Sequence, residues 1–185
     1  MDLPVFVLAS ASPRRAELLR AAGFTFEVIP GTADETVLAG ESAEPYVRRV
    51  AEAKAAIVLP RAVGRPVLSA DTVVVVDQQI LGKPANDAEA RRMLTLVSGR
   101  THQVVTGVCL AHRRIDTAVA VTHVEFAKLS PQEIDWYVAS GEPDDKAGAY
   151  AIQGIAARFV RRIEGSYSNV VGLPVALVHE MLLRA

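Results

Sequence analysis

A chain of 185 residues, half of them hydrophobic and 22% charged, has an ordinary globular balance and is long enough for one domain or two closely packed lobes. A formal net charge of -1 and 5% aromatic content argue against nucleic acid or anionic membrane as partners. No apolar stretch approaches the ~20 residues of a bilayer-spanning helix, and the N-terminus has no basic start before a long apolar run, so a cytoplasmic protein without a signal peptide is expected.

Residues 5–9 form a short apolar run, as expected of a strand buried on both faces. Ser12-Pro13 then supplies a helix start and Gly23 a stop. Phe26 to Ile29 reads as a second strand, and after a loop over 30–42 a helix spans about 43–59, ended by Pro60. Leu68 to Val76 is a β-branched strand with a turn at Asp77-Gln78-Gln79 and a return at Ile80-Leu81. Asn86 caps a helix that runs to about Val97 and is closed by Ser98-Gly99. Two long strands are expected over 101–111 and 117–127, joined by His112-Arg113-Arg114. A helix follows over Pro131–Ser140, then a polar loop over 141–151, a strand over Ile155–Ile163, a loop over 164–173 and a closing helix over Pro174–Leu183. The alternation predicts an α/β fold in a single domain over residues 1–185, without repeats or linkers.

Arg14 and Arg15 stand in the first turn of the first helix, where the helix dipole disfavours cations. Either they are two solvated arginines, or they join Ser10, Ser12 and free backbone N–H groups in a phosphate seat at a strand-turn-helix junction. Lys54 falls inside the apolar stripe of Val47, Val50, Ala51, Ile57 and Val58. It either snorkels outward or meets a phosphate in a cleft. Asp71, inside a run of valines, is costly to bury unless it meets a cation, a metal or hydrogen bonds. It is a partly buried ion pair, or it joins Asp34-Glu35 around a divalent ion and accepts a proton from an attacking water.

Gly82-Lys83-Pro84 is not a P-loop, because Asp77 stands where the loop needs its first glycine and Pro84 where it needs Ser or Thr. Lys83 stays open between a phosphate cation and a surface lysine. The four histidines lack metal-ligand spacing and a paired nucleophile; His102, after a helix stop, is a candidate to orient a loop. The single cysteine, Cys109, excludes an internal disulfide and is expected to be a buried strand residue.

Several segments together resemble the Maf family of nucleoside triphosphate pyrophosphatases: Ala9 to Leu19 (ASASPRRAELL), Asp34-Glu35, Ala51 to Ala55 (AEAKA), Ala70 to Val73 (ADTV) and Leu81 to Pro84 (LGKP). Further matches are Ser98 to His102 (SGRTH), Gly141 to Gly154 (GEPDDKAGAYAIQG) and Asn169 to Pro174 (NVVGLP). Each is short, but their order and spacing make the joint match specific. The resemblance implies a two-lobed, inosine-triphosphatase-like α/β fold with an elongated mixed sheet flanked by helices and the nucleotide in a cleft. It implies Mg²⁺ or Mn²⁺ dependence and often a homodimer.

By position, Asp71 resembles the catalytic proton acceptor, with Glu35 beside it at the metal. Ser10, Arg14, Arg15, Lys54 and Lys83 resemble the phosphate-binding lining. The branch acting on dTTP and UTP is similar in having Arg14, Thr72 and Gln153, where the 7-methyl-GTP branch has an aromatic, a Gln and a Glu. A glutamine amide can pair donor and acceptor with a pyrimidine edge. Ala151 departs from the glycine frequent in the family. The activity implied is hydrolysis of a nucleoside triphosphate to the monophosphate and pyrophosphate; the rival is a non-catalytic nucleotide-binding regulator of septum formation.

Overall fold

Parity along three strands decides which side of the sheet each residue serves. The computed structural model describes residues 3–185. Strand β1 (Phe6–Leu8) runs parallel to β2 (Phe26–Val28) and to β3 (Val67–Val76). Phe6, Leu8, Leu68, Ala70, Val108 and Leu110 enter one core with Ala16 and Leu19 of helix α1 (Pro13–Ala21) and Val178, Met181 and Leu182 of helix α6 (Val175–Leu183). Their alternates Val7, Ala9, Val67, Cys109 and Ala111 enter a second core with Ala51, Ala55 and Val58 of helix α2 (Ala43–Val58). With period 2, a strand covered on both faces must be apolar throughout, which is why these runs do not alternate with polar residues. Cys109 is buried on β5 (Thr101–Ala111), as its setting predicts.

The sheet has seven strands in the order β2-β1-β3-β5-β6-β7, with β4 (Gln79–Leu81) paired antiparallel to β3. Strands β6 (Ile115–Phe126) and β7 (Val160–Glu164) pair antiparallel, with an irregularity at Glu125/Phe126. The chain divides into two compact units. The first comprises the described residues up to Asp71 with 106–120 and 172–185, and the second residues 72–105 and 121–171. The second unit has its own core, in which Met93, Leu94 and Val97 of α3 (Asp87–Val97) and Ile134, Tyr137 and Val138 of α4 (Pro131–Val138) pack with Val74, Val104, Phe126 and Phe159.

Local chemistry sets the helix ends. Asn86 Oδ1 accepts from the Glu89 N–H at 3.0 Å. Ser130 and Glu133 form a reciprocal capping box, with Ser130 Oγ accepting from Glu133 N–H at 3.2 Å and Glu133 Oε2 from Ser130 N–H at 2.7 Å. Ser12 holds the cap position of α1 but makes no side-chain cap bond.

Two expected elements differ. Residues 155–159 form a 3₁₀ turn rather than strand, and β7 begins only at Val160. The cause lies thirteen residues back, where the Glu142 carboxylate accepts from the N–H groups of Ile155 (2.7 Å) and Ala156 (3.1 Å) and so winds the chain. The expected loop over 164–173 contains a short helix, α5 (Tyr167–Val171), at whose start Ser166 Oγ accepts from the Asn169 N–H at 3.3 Å. Among the described residues, no helix is long and apolar enough to cross a membrane.

Candidate active site

Asp71 shares its parity on β3 with Val67 and Ser69, so it faces α2. Ser69 Oγ donates to the Ala51 carbonyl at 2.6 Å, fixing that side of the strand against the helix. On α2 the buried stripe is Tyr46, Val47, Val50, Ala51, Lys54, Ala55 and Val58; Ile57, expected in it, is exposed. Lys54 does not snorkel outward. It is 7% exposed, and its Nζ donates to Asp71 Oδ1 at 2.7 Å; Asp71 is itself 6% exposed. The same ammonium lies 2.7 Å from Glu35 Oε1, whose side chain is 48% exposed. One buried cation therefore gathers two carboxylates from separate segments.

The segment bearing Glu35 is tied to α2 at several points. A Cβ at Gly31 would lie 2.8 Å from the Lys54 carbonyl oxygen and 2.9 Å from Val58 Cγ2, so only glycine permits so close a crossing. Tyr46 Oη donates to the Glu35 carbonyl at 2.9 Å, and Arg49 donates to the Thr36 carbonyl at 2.9 Å. Arg49 also forks onto both carboxylate oxygens of Glu41 at 2.7 Å, which helps hold the Glu41 carboxyl down at about 2. Burial, with Asp71 and Glu35 nearby, raises the Tyr46 phenol well above its ordinary value, so this donor stays protonated. Tyr46, Arg49 and Glu41 are supporting residues that the motif reading did not single out. The sequence signal was slight, an aromatic and an arginine three residues apart near the start of α2.

Arg15 is buried, 9% exposed, which removes the solvated reading for this residue. Its Nε donates to the Gly172 carbonyl at 2.8 Å and its Nη1 to Ser10 Oγ at 3.2 Å. Burial pulls the guanidinium below its ordinary value, while Asp71 and Glu35 pull it back up. Ser10, buried at the end of β1, also accepts from the Ser12 N–H at 3.2 Å. Arg14 precedes Arg15 in the same helical turn and is half-buried. Ser10, Arg15, Glu35, Lys54 and Asp71 thus belong to one unit, and electrostatics link Arg15 to both carboxylates.

Thr72, Lys83 and Gln153 belong to the second unit. Thr72 is half-buried and directly follows Asp71 on β3; Lys83 and Gln153 are exposed in loops. The Gly148 N–H donates to the Gly82 carbonyl at 3.0 Å, joining the Lys83 loop to the segment leading to Gln153. Tyr150 Oη and His102 Nε2 lie 2.8 Å apart in the buried core. Burial lowers the His102 imidazole to about 4, which keeps it neutral near pH 7. The second unit also has a pocket of about 480 Å³ beside α3 and α4, lined in part by Arg91, Arg100, Lys128 and Asp135. Ser98, Gly99 and Arg100 of the SGRTH segment line it, but none of the candidate catalytic, phosphate-binding or specificity residues does.

Among the described residues, no group of three or more His, Cys, Asp or Glu side chains forms a metal cage. The Asp71–Glu35 pair is a smaller donor set, two hard oxygen ligands already converging on one positive charge. That suits a cation of the Mg²⁺ type, which takes one or two protein carboxylates and fills its shell with water and phosphate oxygens.

A 184-residue alignment with the dTTP/UTP pyrophosphatase of Myxococcus xanthus (strain DK1622) is 53% identical and covers 100% of this chain and 94% of that protein. The dTTP/UTP pyrophosphatase of Anaeromyxobacter sp. (strain Fw109-5) is 54% identical over 187 residues, covering 97% and 88%. Among solved structures, the Staphylococcus aureus Ham1 protein matches 97% of this chain and 98% of its own, with a TM-score of 0.54 at 15% identity, a likeness of fold alone. The model of the Maf-like protein family matches residues 5–185, and the chain belongs to that family.

Proposed function

We propose that the protein hydrolyses nucleoside triphosphates, dTTP and UTP in particular, to the nucleoside monophosphate and pyrophosphate. The observation that carries this reading is the convergence of Asp71 and Glu35 on buried Lys54, with Arg15 held in the same unit. The names of the relatives, all enzymes, favour hydrolysis over a purely regulatory binding role.

In the proposed step, a water oxygen forms a bond to the α-phosphorus and the bond from that phosphorus to the bridging oxygen of the β-phosphate breaks. Asp71 takes the proton of the water, and pyrophosphate departs with the bonding electrons. Lys54 orients the Asp71 carboxylate through its 2.7 Å contact. Ser10, Arg14, Arg15 and Lys83 supply donors and positive charge to the phosphates. Thr72 and Gln153, with Arg14, select the nucleotide, the glutamine amide pairing with the donor and acceptor of a uracil or thymine edge. A divalent ion, Mg²⁺ or Mn²⁺, held by Asp71 and Glu35, would neutralise phosphate charge when bound.

The test is a phosphate-release assay over a nucleotide panel, with and without added inorganic pyrophosphatase. Phosphate should appear from UTP and dTTP only when the second enzyme is present, and chelating divalent ions with EDTA should stop the reaction until Mg²⁺ is restored. Phosphate release without the second enzyme would mean cleavage at the γ-phosphate and would refute the reaction. Undiminished turnover in EDTA would refute the metal.

A further inference from the structure

Gln153 is exposed, and its own side chain gives no sign of what fixes its direction. Bidentate recognition needs the reading group held to within about 0.5 Å, so the chain around it must be immobilised by other residues. The structure contains such a restraint. Tyr137, fully buried on α4, donates its Oη to Glu142 Oε1 at 2.8 Å and accepts from the Ala151 N–H at 3.2 Å. Glu142 Oε1 also accepts from the Ala156 N–H at 3.1 Å, and Oε2 from the Ile155 N–H at 2.7 Å. Two side chains thus hold the backbone on both sides of Gln153. Gly154 fits against the same carboxylate, where an added Cβ would lie 2.1 Å from Glu142 Oε2. The Tyr137 ring packs edge-on against Phe159, at a centroid distance of 5.6 Å, which anchors the phenol to the core.

We propose that Tyr137 and Glu142 are positioning residues for base recognition, clamping the 151–156 segment so that Gln153 is presented to the base in one orientation. The clamp rests on the reading of Gln153 as the residue that meets the base. The Glu142 carboxylate accepts three hydrogen bonds, two of them from the Ile155 and Ala156 N–H groups after Gln153, while Tyr137 Oη holds the Ala151 N–H before it. The clamp belongs to the second unit, whereas Ser10, Arg15, Lys54 and Asp71 belong to the first. Its loss should therefore act on the base and not on the chemical step.

The experiment measures kcat and KM for UTP and CTP, which share sugar and phosphates and differ at the pyrimidine edge. The full-length proteins compared are the wild type, Tyr137→Phe, Glu142→Gln, Gln153→Ala and the double variant Tyr137→Phe/Gln153→Ala. Tyr137→Phe keeps the ring in the core and removes only the hydroxyl. Glu142→Gln keeps the size and replaces one accepting oxygen by an amide donor. Each clamp variant should raise KM for UTP about tenfold, the effect of one hydrogen bond to a charged group. kcat should be unchanged, and the UTP-to-CTP ratio of kcat/KM should fall accordingly. In the Gln153→Ala background, Tyr137→Phe should lower that ratio no further.

If Gln153→Ala removes the preference for UTP while the clamp variants keep it, or lower both nucleotides equally, the clamp is overturned and the reading of Gln153 stands. If Gln153→Ala itself leaves the ratio unchanged, the reading of Gln153 fails and the clamp fails with it.

Discussion

Lys54 is the residue on which the first unit's polar cluster depends. Its ammonium is buried between Asp71 and Glu35, at 2.7 Å from each. Desolvating such charges costs several kcal/mol, and that cost is offset only while all three are present. Lys54→Met keeps the stem and removes the charge, leaving buried Asp71 without its cation. We expect a loss of about 3–5 kcal/mol in unfolding free energy by urea titration, together with loss of turnover. Unchanged stability would mean that water or another cation already compensates Asp71.

His102 makes a separate prediction. Its imidazole titrates at about 4 in the folded protein against an ordinary 6.5. Between those values the unfolded chain binds a proton that the folded chain does not, so stability must fall as pH drops from 6.5 towards 4. At pH 5 this group alone costs about 2 kcal/mol relative to pH 7. Urea titrations of wild type and His102→Gln at pH 7 and pH 5 isolate the effect. The variant should lose less stability on acidification, and equal losses would contradict a buried neutral imidazole.

At the scale of elements, the docking of α2 on the sheet carries the geometry of the site. A Cβ at Gly107 on β5 would lie 2.4 Å from the carbonyl oxygen of Val47 and 2.6 Å from its carbonyl carbon. Backbone cannot yield as a side-chain tip can, so α2 must shift to admit a methyl group. Gly107→Ala should cost about 1–3 kcal/mol in stability. It should also lower turnover, because Lys54 and the anchors of the Glu35 segment ride on the same helix. Wild-type activity in a folded Gly107→Ala protein would show that the site tolerates a displaced α2.

The elements set by local signals were legible beforehand. Ser12-Pro13 and Gly23 bracket α1, Asn86 starts α3, and the β-branched run of 67–76 is a strand. What was not legible depended on distant partners. The apolar run from Ile155 looked like strand because nothing nearby announces that Glu142 binds its first two N–H groups. The α2 stripe was drawn to include Ile57, which faces outward, because periodicity alone does not fix where the edge of a buried face falls.

At the scale of the whole molecule, seven strands in one mixed sheet are divided between two units, each with its own core. Asp71 and Thr72, neighbours in the chain, fall on either side of that division. The sequence motifs named Asp71, Glu35, Lys54 and Arg15 separately; only the fold shows that the first two share the Lys54 ammonium and that Arg15 is buried. Their joint presence predicts that nucleotide binding and nucleotide cleavage are separable. In the proposed mechanism binding draws on several cations and hydroxyls, whereas cleavage draws on a single proton acceptor.

Asp71→Asn tests this most directly, since the amide keeps the shape of the carboxylate and cannot take the proton. Turnover of UTP and UTP affinity by calorimetry are measured on the same protein. Turnover should fall roughly 10²–10⁴-fold with UTP still bound at an affinity near that of the wild type. Hydrolysis at a rate close to wild type would contradict Asp71 as the proton acceptor.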